Sequence, residues 1–407
     1  MKPARSNITI IKQICELIPG HLVTKLAKEY GIDKQSRKIT PWSHIVALLY
    51  AQLSHAFGLN DVCDALNNQA DSLKTIRGAE APSRNGLSHA NRTRNAEMAE
   101  ALYWAVFNNI ALMHPQFVKG CGKYMPRKFK RVISVIDATV IKLVANCMNW
   151  AKHRRRKAAA KLHLRLDLQS FLPRFARVKE GNRHDATQAR ELCAGIRDGE
   201  IVVFDMAYND FAFLADLSQR GVFWVGRAKE NLHYRALDHR AVPTNGSIIR
   251  DEIIELTNPA THTDYPKALR LVEADVEVDK KIVRMTFMSN NLKWAASSIC
   301  DLYRCRWPIE IFFKEIKGTL QLCDFLGHNA NAVTWQIWTG LLAHLLIRYL
   351  AWLSQWNHSF TRIFTTIRAL LWNRFDLMSL LKSYGTAGSM TRARAAPEQA
   401  YIPGLTY

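Results

Sequence analysis

The sequence contains no C-x-x-C pair. Its cysteines number eight and stand singly, at positions 15, 63, 121, 147, 193, 300, 305 and 323. Zinc ribbons need closely spaced pairs of thiolates, and disulfide frameworks belong to small secreted domains rather than to a chain of this length. The cysteine usage therefore argues against both kinds of protein and predicts a location in the reducing cytoplasm.

Two kinds of hydrophobic run are also missing. The opening segment MKPARSNIT leads into no continuous apolar stretch, so it does not have the form of a secretory signal. The most apolar later stretch, 332–353, is interrupted by Gln336, His344 and Arg348. A membrane span of this length carries few or no such residues, so we expect a buried helix there and no membrane as a partner.

Acidic residues are in short supply. The 407 residues include 35 Asp and Glu against 56 Lys and Arg, and 56 − 35 gives a formal charge of +21. An excess of this size favours a polyanionic partner, with nucleic acid ahead of a membrane surface. Many of the surplus cations lie in two basic clusters, 119–131 and 152–165. The alternative for any one of these side chains is an ordinary solvated loop.

The chain has no internal repeats, but its residue patterns change along its length. Residues 8 to about 113 have helical periodicity broken by Pro and Gly, whereas β-branched runs begin at Arg131 and alternate with helical patterns, as in a mixed α/β domain. With 48% hydrophobic residues, the chain can bury a sizeable core. The predicted ranges are an all-α N-terminal domain at 1–115, the first part of an α/β core at 130–228, a β-strand insertion at 229–291, the C-terminal part of the core at 292–383 and a mobile tail at 384–407.

Two aspartates directly follow hydrophobic strand-like runs. Asp137 follows VISVI, and Asp205 follows EIVVF. Aspartates at the ends of adjacent strands can point into one cleft. Taken singly, an aspartate at the end of a strand is more often a turn or cap residue. Asp167, Asp185 and Asp210 are rival candidates nearby, and Asp185 has the position of a helix cap.

A charged stripe follows in the segment 303–317, YRCRWPIEIFFKEIK. At about 100° per residue, four of its side chains fall within an arc of roughly 60° on a helical wheel, and Glu315 lies outside that arc. The four are Tyr303, Arg306, Glu310 and Lys317. Pro308 requires the helix either to kink there or to begin near it, in which case the first two belong to a preceding turn. The alternative to a functional stripe is a solvated charged face of the helix.

Glu310 can complete a trio of carboxylates with Asp137 and Asp205. Such a trio suits hard divalent cations, because Mg²⁺ (or Mn²⁺) prefers oxygen ligands. Two ions about 3.5–4 Å apart stabilise both the attacking and the leaving oxygens at phosphorus. A phosphate chain also needs cationic and hydrogen-bonding contacts outside the metal ions, and the remaining stripe residues can supply them. The pattern therefore predicts metal-dependent chemistry on nucleic acid.

The spacing Y-x2-R-x3-E-x6-K resembles the signature of the DDE transposases of bacterial insertion sequences, in the large family numbered four. In this sequence it is filled by Tyr303, Arg306, Glu310 and Lys317. The segments VIDATVI around Asp137 and VVFDMAYND around Asp205 look like that family's first and second acidic motifs. Residues 8 to about 75, which include PWSHIVALLYAQLS, are similar to a helical domain that precedes the catalytic part in one branch of these enzymes. The resemblance covers roughly residues 8–355.

The resemblance implies a fold and a set of site residues. The expected fold is α/β, an RNase H-like mixed sheet core with a β-rich insertion, preceded by an all-α N-terminal domain that binds DNA ends. The implied catalytic residues, which are also the ligands of two Mg²⁺ or Mn²⁺ ions, are Asp137, Asp205 and Glu310. The implied DNA-binding residues are Tyr303, Arg306 and Lys317.

The activity that the resemblance implies is metal-dependent cutting and joining of the ends of an insertion sequence. The implied partners are double-stranded DNA, both as terminal inverted repeats and as target, and a second copy of the chain in a homodimeric synaptic complex. Two alternatives stay open: a DNA nuclease on the same core that hydrolyses without joining, and an inactive DNA-binding descendant of a transposase. The intact carboxylate trio argues against the inactive descendant, and a strand-transfer assay separates the nuclease from a transposase.

Overall fold

A computed structural model of the protein describes residues 3–35, 39–120, 122, 124–126, 128–143, 152–154, 157–180, 185–242, 246–278, 281–322 and 325–384. Parts of three sequence predictions lie outside these residues. They are positions 121, 123 and 127 of the first basic cluster, positions 155 and 156 of the second, and residues 385–407 of the tail.

The N-terminal part of the chain is helical, as the sequence predicts. Thr9, Thr40 and Ser83 each accept a backbone N–H at the start of a helix, and Pro41 occupies a first turn, where its missing N–H is not needed. His55, in the left-handed conformation at φ 59°, ends the third helix. The helices are α1 (Ile10–Glu16), α2 (Gly20–Glu29), α3 (Pro41–Ser54), α4 (Leu59–Asn68), α5 (Ala70–Lys74), α6 (Arg84–Thr93), α7 (Glu97–Met113) and α8 (Pro115–Lys119).

Strands and helices alternate in the next part of the chain, where β-branched runs replace the helical patterns. The strands are β1 (Ile133–Leu143), β2 (Lys152–Arg154), β3 (Lys157–Asp167), β4 (Leu172–Glu180), β5 (Ile201–Phe204), β6 (Phe223–Arg227), β7 (Tyr234–His239), β8 (Ile248–Leu256), β9 (Leu269–Val278) and β10 (Lys281–Ser289). The helices between them are α9 (Asp185–Cys193), α10 (Phe211–Gln219) and α11 (Pro259–Asp264).

The described strands form one sheet in the order β2-β3-β1-β5-β6-β10-β9-β8-β7, with β4 paired to β3. Within it, β1 is antiparallel to β3, β3 is antiparallel to β4, and β5 and β6 run parallel to β1. Three antiparallel strands beside two parallel ones form an RNase H-like sheet, so the predicted fold class is confirmed. The short strand β5 is buried along its whole length, as expected of a central parallel strand.

The strands in 229–291 continue this sheet. β10 pairs with β6, with Phe287 opposite Arg227 and Ser289 opposite Val225. β9, β8 and β7 then follow outward, each antiparallel to its neighbour. The β-rich segment therefore extends one side of the core sheet through ordinary strand pairing.

Helices resume after β10 and return to the N-terminal part of the chain. They are α12 (Ala296–Arg304), α13 (Trp307–Lys314), α14 (Ala330–Leu353), α15 (Phe360–Ala369) and α16 (Leu377–Tyr384), with a π-helical turn at Glu315–Thr319. The central helix α14 is buried along most of its length because α3, α6, α7 and α15 pack against it. The hydrophobic core runs without a break from these helices to one face of the sheet. The two sequence patterns that meet near residue 115 thus share one core.

Helix α14 corresponds to the apolar stretch with interrupting polar residues. Gln336 accepts a hydrogen bond from the backbone N–H of Leu326 at 2.8 Å, and His344 and Arg348 both bond to Glu315. These partners satisfy polar groups that burial would otherwise penalise. Across the described ranges, no helix is both long and apolar enough to cross a membrane.

Candidate active site

Asp137 and Asp205 lie level with each other on neighbouring parallel strands. In the pairing of β1 with β5, Val135 is opposite Val203, an offset of 68 residues (203 − 135). Asp137 and Asp205 have the same offset (205 − 137) two residues beyond this pair, and the charge of Asp205 acts on Asp137. Strand β5 ends at Phe204, so Asp205 follows the end of its strand, as predicted.

The prediction that Asp137 also ends its strand is wrong. Strand β1 continues to Leu143, because its second half pairs with β3 from Asp137 opposite Leu164 to Leu143 opposite Ala158. The pairing with β5 has already stopped at Val135, since β5 is only 4 residues long. Among the described residues, the flank of β1 that faces β5 has no strand partner at Asp137, and the cleft opens there.

Asp205 also has a local role in the backbone. Its Oδ1 accepts the N–H of Ala207 at 2.9 Å, at the start of a 3₁₀ turn at Met206–Tyr208. Such a cap is the ordinary use of an aspartate after a strand. Asp205 therefore caps this turn and is also the aspartate at the end of the strand next to β1.

Two of the three rival aspartates have structural roles. Asp210 caps α10 by accepting the N–H of Phe213 at 2.9 Å. Asp167 is buried and pairs with Arg174 at 2.6 Å. Asp185 is the first residue of α9, and its side chain lies outside the described residues. These contacts give Asp210 and Asp167 structural roles, so neither residue needs a catalytic role to account for its position.

The charged segment 303–317 is not one continuous helix. Helix α13 begins with Pro308 in its first turn, and the segment ends in the π-helical turn that contains Lys317. Of the two outcomes left open for Pro308, the structure has a helix that begins there, where a proline loses no hydrogen bond. Tyr303 consequently belongs to α12, and Arg306 is the cap residue of α13.

Arg306 connects the helix to the strand. Its Nη1 donates to Asp137 Oδ2 at 2.8 Å and to Glu310 Oε1 at 3.0 Å. Lys317 reaches the same strand further along, where its Nζ donates to Thr139 Oγ1 at 2.7 Å. Asp137 and Thr139 are two positions apart on β1 and so point to one face of the sheet. Arg306 and Lys317 therefore lie over the sheet face that carries Asp137.

Tyr303 lies beside this group. Its ring centroid is 4.6 Å from that of Phe287, and it lines a cavity of about 350 Å³ together with Arg306 and Trp307. Burial raises the pKa of the Tyr303 phenol, the charge of Arg306 opposes that shift, and the charge of Asp205 adds to it. Tyr303 is thus within electrostatic reach of both the arginine and the second aspartate.

The carboxyl group of Asp137 has an unusual pKa. The residue is 9% exposed, and its pKa is raised to about 7. Burial is the main cause, because it penalises the charged form. Arg306 opposes the shift, whereas the negative charges of Asp205 and Glu310 add to it. Asp205 and Glu310 therefore both act electrostatically on Asp137, whose raised pKa is close to neutral pH.

Glu315 lies on another side of the segment, in keeping with its place outside the arc on the helical wheel. Its carboxylate accepts hydrogen bonds from His344 Nε2 at 2.9 Å and from Arg348 Nη2 at 2.5 Å. Burial alone would raise the pKa of Glu315, but these two partners outweigh burial, and the pKa of Glu315 is lowered. Glu315 is thus a paired acid outside the cleft.

Two side chains of the second basic cluster, His163 and Lys161, lie on the other face of the sheet. On β3, His163 is opposite Ala138 and Lys161 is opposite Val140. Directly opposite residues of antiparallel strands point to the same face, and Ala138 and Val140 alternate with the residues that carry the cleft. The side chains of His163 and Lys161 therefore point away from Asp137.

Two side chains of the first basic cluster are engaged within the protein. Lys128 pairs with Asp301 of α12 at 2.6 Å. Arg131 donates to the backbone carbonyl of Gly199 at 2.7 Å and lies over the ring of Phe223. These contacts fix the segment that precedes β1 against α12 and against the loop that contains Gly199.

The carboxylates of the cleft fit a hard cation. Within the described ranges, no three His, Cys, Asp or Glu side chains are gathered closely enough to form a ready-made metal cage. Asp137 and Glu310 nevertheless hold one positive group between them already, the guanidinium of Arg306. Carboxylate oxygens are the ligands that Mg²⁺ and Mn²⁺ prefer. The donor set therefore suits such an ion when Arg306 moves aside.

Thr139 is a site residue that the sequence reasoning missed. The sequence could have predicted it, because Thr139 is two residues after Asp137 in the strand-like run VIDATVI. Side chains two positions apart on a strand point to the same face. Nothing in the sequence pattern predicted that Glu315 contacts His344 and Arg348. Glu315 and His344 are 29 residues apart, and only the packing of α14 brings them together.

Comparison with known families gives two matches along the chain. A family described as the transposase DDE domain matches residues 128–346, a range that includes all six predicted site residues. This is 219 residues (346 − 128 + 1) of 407, more than half of the chain. A second match, to a domain of unknown function, DUF4372, covers residues 6–76.

Individual relatives carry names of the same kind. A putative transposase of Sinorhizobium fredii is 27% identical over 277 residues, which cover 67% of this chain and 76% of that protein. A probable transposase for insertion sequence element IS5377 of Geobacillus stearothermophilus is 24% identical over 349 residues, 84% of this chain and 85% of that protein. Among solved structures, a piggyBac transposase in a synaptic complex with hairpin DNA has a TM-score of 0.45 and 11% identity, covering 100% of this chain and 90% of that chain.

Proposed function

This chain belongs to the transposase DDE domain family, and from that premise we propose that it binds the ends of an insertion sequence, cleaves DNA and joins the 3′-hydroxyl ends to target DNA. The observation that carries the proposal is the bridge from Arg306 to both Asp137 and Glu310. Asp205 follows the end of the neighbouring parallel strand, and its charge acts on Asp137. In this proposal, three distant stretches of sequence contribute one acid each to the same cleft.

The three carboxylates are assigned the metal-binding and catalytic role. Asp137, Asp205 and Glu310 would hold two Mg²⁺ or Mn²⁺ ions through their oxygen atoms. Such ions, when bound, lower the pKa of an attacking water and stabilise the leaving oxygen at phosphorus. Because the pKa of Asp137 is raised to about 7, its carboxyl group must release a proton before it can bind a cation. Cation binding by the chain should therefore strengthen as the pH rises through this value.

Arg306, Lys317 and Tyr303 are assigned to the DNA backbone. A guanidinium that leaves Asp137 and Glu310 can make paired hydrogen bonds to a phosphate group. Lys317 brings an ammonium group to the same face of the sheet, and Tyr303 adds a phenol beside Arg306. The formal charge of +21 supplies the long-range attraction for a duplex.

Substitution of the carboxylates tests the catalytic assignment. Asp137→Asn, Asp205→Asn and Glu310→Gln should each abolish cleavage of a DNA end and leave end binding within about threefold, because the metal site is lost while the phosphate contacts remain. The matched control is Asp210→Asn, which removes the cap of α10 near Asp205 and should keep cleavage. Near-normal cleavage by the Asp205 variant would contradict the assignment and make Asp210 the next candidate.

The salt dependence of DNA binding tests the phosphate contacts. Arg306→Ala and Lys317→Ala should each reduce the slope of log K against log salt concentration by about 0.9, since each phosphate contact that is lost releases one counterion fewer. The exposed Lys267, just before β9 and outside the charged segment, provides the control Lys267→Ala. Unchanged slopes and unchanged cleavage in both site variants would show that the stripe is an ordinary solvated face.

A strand-transfer assay separates joining from hydrolysis. Purified protein, Mg²⁺, a pre-cleaved end with a 3′-hydroxyl and a target plasmid should yield covalent end–target products, because a hydroxyl can replace water in the same two-metal geometry. Two ends must meet in a complex of two protomers, so the joining rate should rise faster than linearly with protein at low concentration. If correct ends are cleaved and only hydrolysed DNA appears, the protein is a nuclease on the same core.

A further inference from the structure

The π-helical turn at Glu315–Thr319 departs from the α-helix that precedes it. In this turn, the N–H of Leu320 donates to the carbonyl of Glu315 at 3.0 Å, five residues back instead of four. A π-helical turn holds more residues than an α-helical turn, so each residue advances by a smaller rotation. Lys317 therefore leaves the segment in a direction that an uninterrupted α-helix would not give it.

Glu315 holds the beginning of this turn from the inside of the protein. Its carboxylate bonds to His344, which is 1% exposed, and to Arg348. Arg348 is itself held between two aromatic rings, 4.6 Å from the centroid of Phe171 and 5.1 Å from that of Phe360. Movement of Glu315 away from its partners would leave a charge buried and unpaired, which is strongly unfavourable.

The end of the turn is held by helix α3. The side-chain amide of Gln52 donates to the carbonyl of Leu320, and His55 Nε2 bonds to the carbonyl of Thr319 at 2.8 Å. These carbonyls are among those that a helix end leaves without intrahelical partners. The turn is thus fixed before and after Lys317 by side chains from two different helices.

We propose that Glu315, held by His344 and Arg348, is a positioning residue that aims Lys317 at the cleft beside Thr139. This inference rests on the proposed function, because it concerns the DNA contact assigned to Lys317. Packing alone would require only that the end of the segment be covered by apolar groups. The cluster instead places a buried, charge-paired anchor two residues before the lysine, whose Nζ lies 2.7 Å from Thr139 Oγ1.

A double-mutant cycle on DNA binding by the full chain tests the proposal. The readout is the slope of log K against log salt concentration for a random-sequence DNA duplex. Lys317→Ala should reduce the slope by about 0.9. Glu315→Gln should reduce it by at least about half as much, and the double variant should lose no more than Lys317→Ala alone, because both substitutions remove the same contact.

A packing role predicts a different pattern. Glu315→Gln would then lower the melting temperature and leave the slope unchanged, which would overturn the proposal. The matched control is Asp167→Asn, which removes a carboxylate that is also buried and paired with an arginine, at a site outside the cleft. Asp167→Asn changes the net charge by the same amount as Glu315→Gln and should leave the slope of log K against log salt concentration unchanged.

His344→Gln is the second variant, for use if Glu315→Gln does not fold, because it removes one hydrogen bond to Glu315 and keeps the carboxylate. It should reduce the slope in the same direction by a smaller amount, and an unchanged slope in this variant would overturn the proposal. An unchanged slope in Lys317→Ala would also overturn it, since no phosphate contact would exist to be positioned. Loss of cleavage in the Asp137 variant is measured separately, so the proposed catalytic function can stand or fail independently.

Discussion

Two clusters of acids and arginine lie on different sides of the segment 303–317 and differ in their electrostatics. In the cluster outside the cleft, His344 and Arg348 lower the pKa of Glu315. In the cleft, the pKa of Asp137 is raised to about 7, although Arg306 is bonded to it. Burial penalises the charged form of both carboxylates, so burial alone does not explain the difference.

The difference lies in how many acids share the available cations. Glu315 has two hydrogen-bonding partners for one carboxylate. Arg306 has to serve Asp137 and Glu310 together, and Asp205 adds a third negative charge. A carboxylate with two partners of its own stabilises the fold, whereas two carboxylates that share one guanidinium are suited to bind a further cation.

The largest effect that we predict contrasts the two clusters in stability. Glu315→Ala should lower the free energy of unfolding by about 3–5 kcal/mol, because Arg348 loses its partner while still partly buried. Asp137→Asn should cost far less in metal-free buffer, since it removes a charge that the fold tolerates poorly. Chemical denaturation in the presence of a chelator measures both values. Equal losses in the two variants would remove the distinction between the clusters.

The pH dependence of stability sharpens the same contrast. A carboxyl group whose pKa is raised by folding destabilises the folded state progressively as pH rises from its unfolded pKa, about 3.9, to its folded pKa, here about 7. The stability of Asp137→Asn relative to the original protein should therefore increase by about 1.4 kcal/mol per pH unit across that window and level off above it. Denaturation curves at several pH values in a chelator test this. A difference that does not vary with pH would contradict the raised pKa.

Cation binding in the cleft should respond to the loss of Arg306. Arg306→Gln removes a positive group that occupies the space between Asp137 and Glu310, so the DNA-free protein should bind Mn²⁺ about tenfold more tightly. Electron paramagnetic resonance of free Mn²⁺, above the pKa of Asp137, gives the affinity without any cleavage assay. The exposed Arg304 provides the control Arg304→Gln, which should change the affinity little. Weaker Mn²⁺ binding by the Arg306 variant would show that the guanidinium does not compete with the ion.

The smallest effect belongs to Tyr303. Tyr303→Phe keeps the ring that packs on Phe287 and removes one hydroxyl group, so cleavage should fall by no more than about fivefold, the equivalent of about 1 kcal/mol for one hydrogen bond. Cleavage rates of the purified variant at saturating DNA provide the measurement. A loss as large as that of Glu310→Gln would mean that the phenol takes part in the chemistry.

Local patterns predicted much of this architecture. Helical periodicity predicted the N-terminal helices, and the run EIVVF correctly indicated a buried strand that ends just before Asp205. The helical wheel separated Glu315 from the stripe, even though Pro308 divides the segment into two helices and a π-helical turn follows. It succeeded because positions only a few residues apart keep their relative directions when the backbone stays close to helical.

The failures concern contacts between distant parts of the chain. Asp137 looked like the end of a strand because the sequence shows where an apolar run stops and not how far a partner strand extends. The pairing of β1 with β3 carries the strand on to Leu143. The π-helical turn that contains Lys317 was not foreseen, because a helical wheel assumes ideal rotation at every residue, whereas the contacts of Gln52 in α3 and of His55 at the end of α3 hold a different turn.

The sequence by itself determined which residue types are available and how they are spaced within each helix and strand. That was enough to predict a basic, metal-dependent, DNA-directed protein and to select Asp137, Asp205 and Glu310 as the candidate metal ligands. Only the tertiary structure decided that Arg306 bridges Asp137 across 169 positions and that the pKa of this carboxyl group rises to about 7. The physical reason is that strand register, helix packing and burial set the distances and the desolvation of these charges, and none of the three is encoded in the spacing of neighbouring residues.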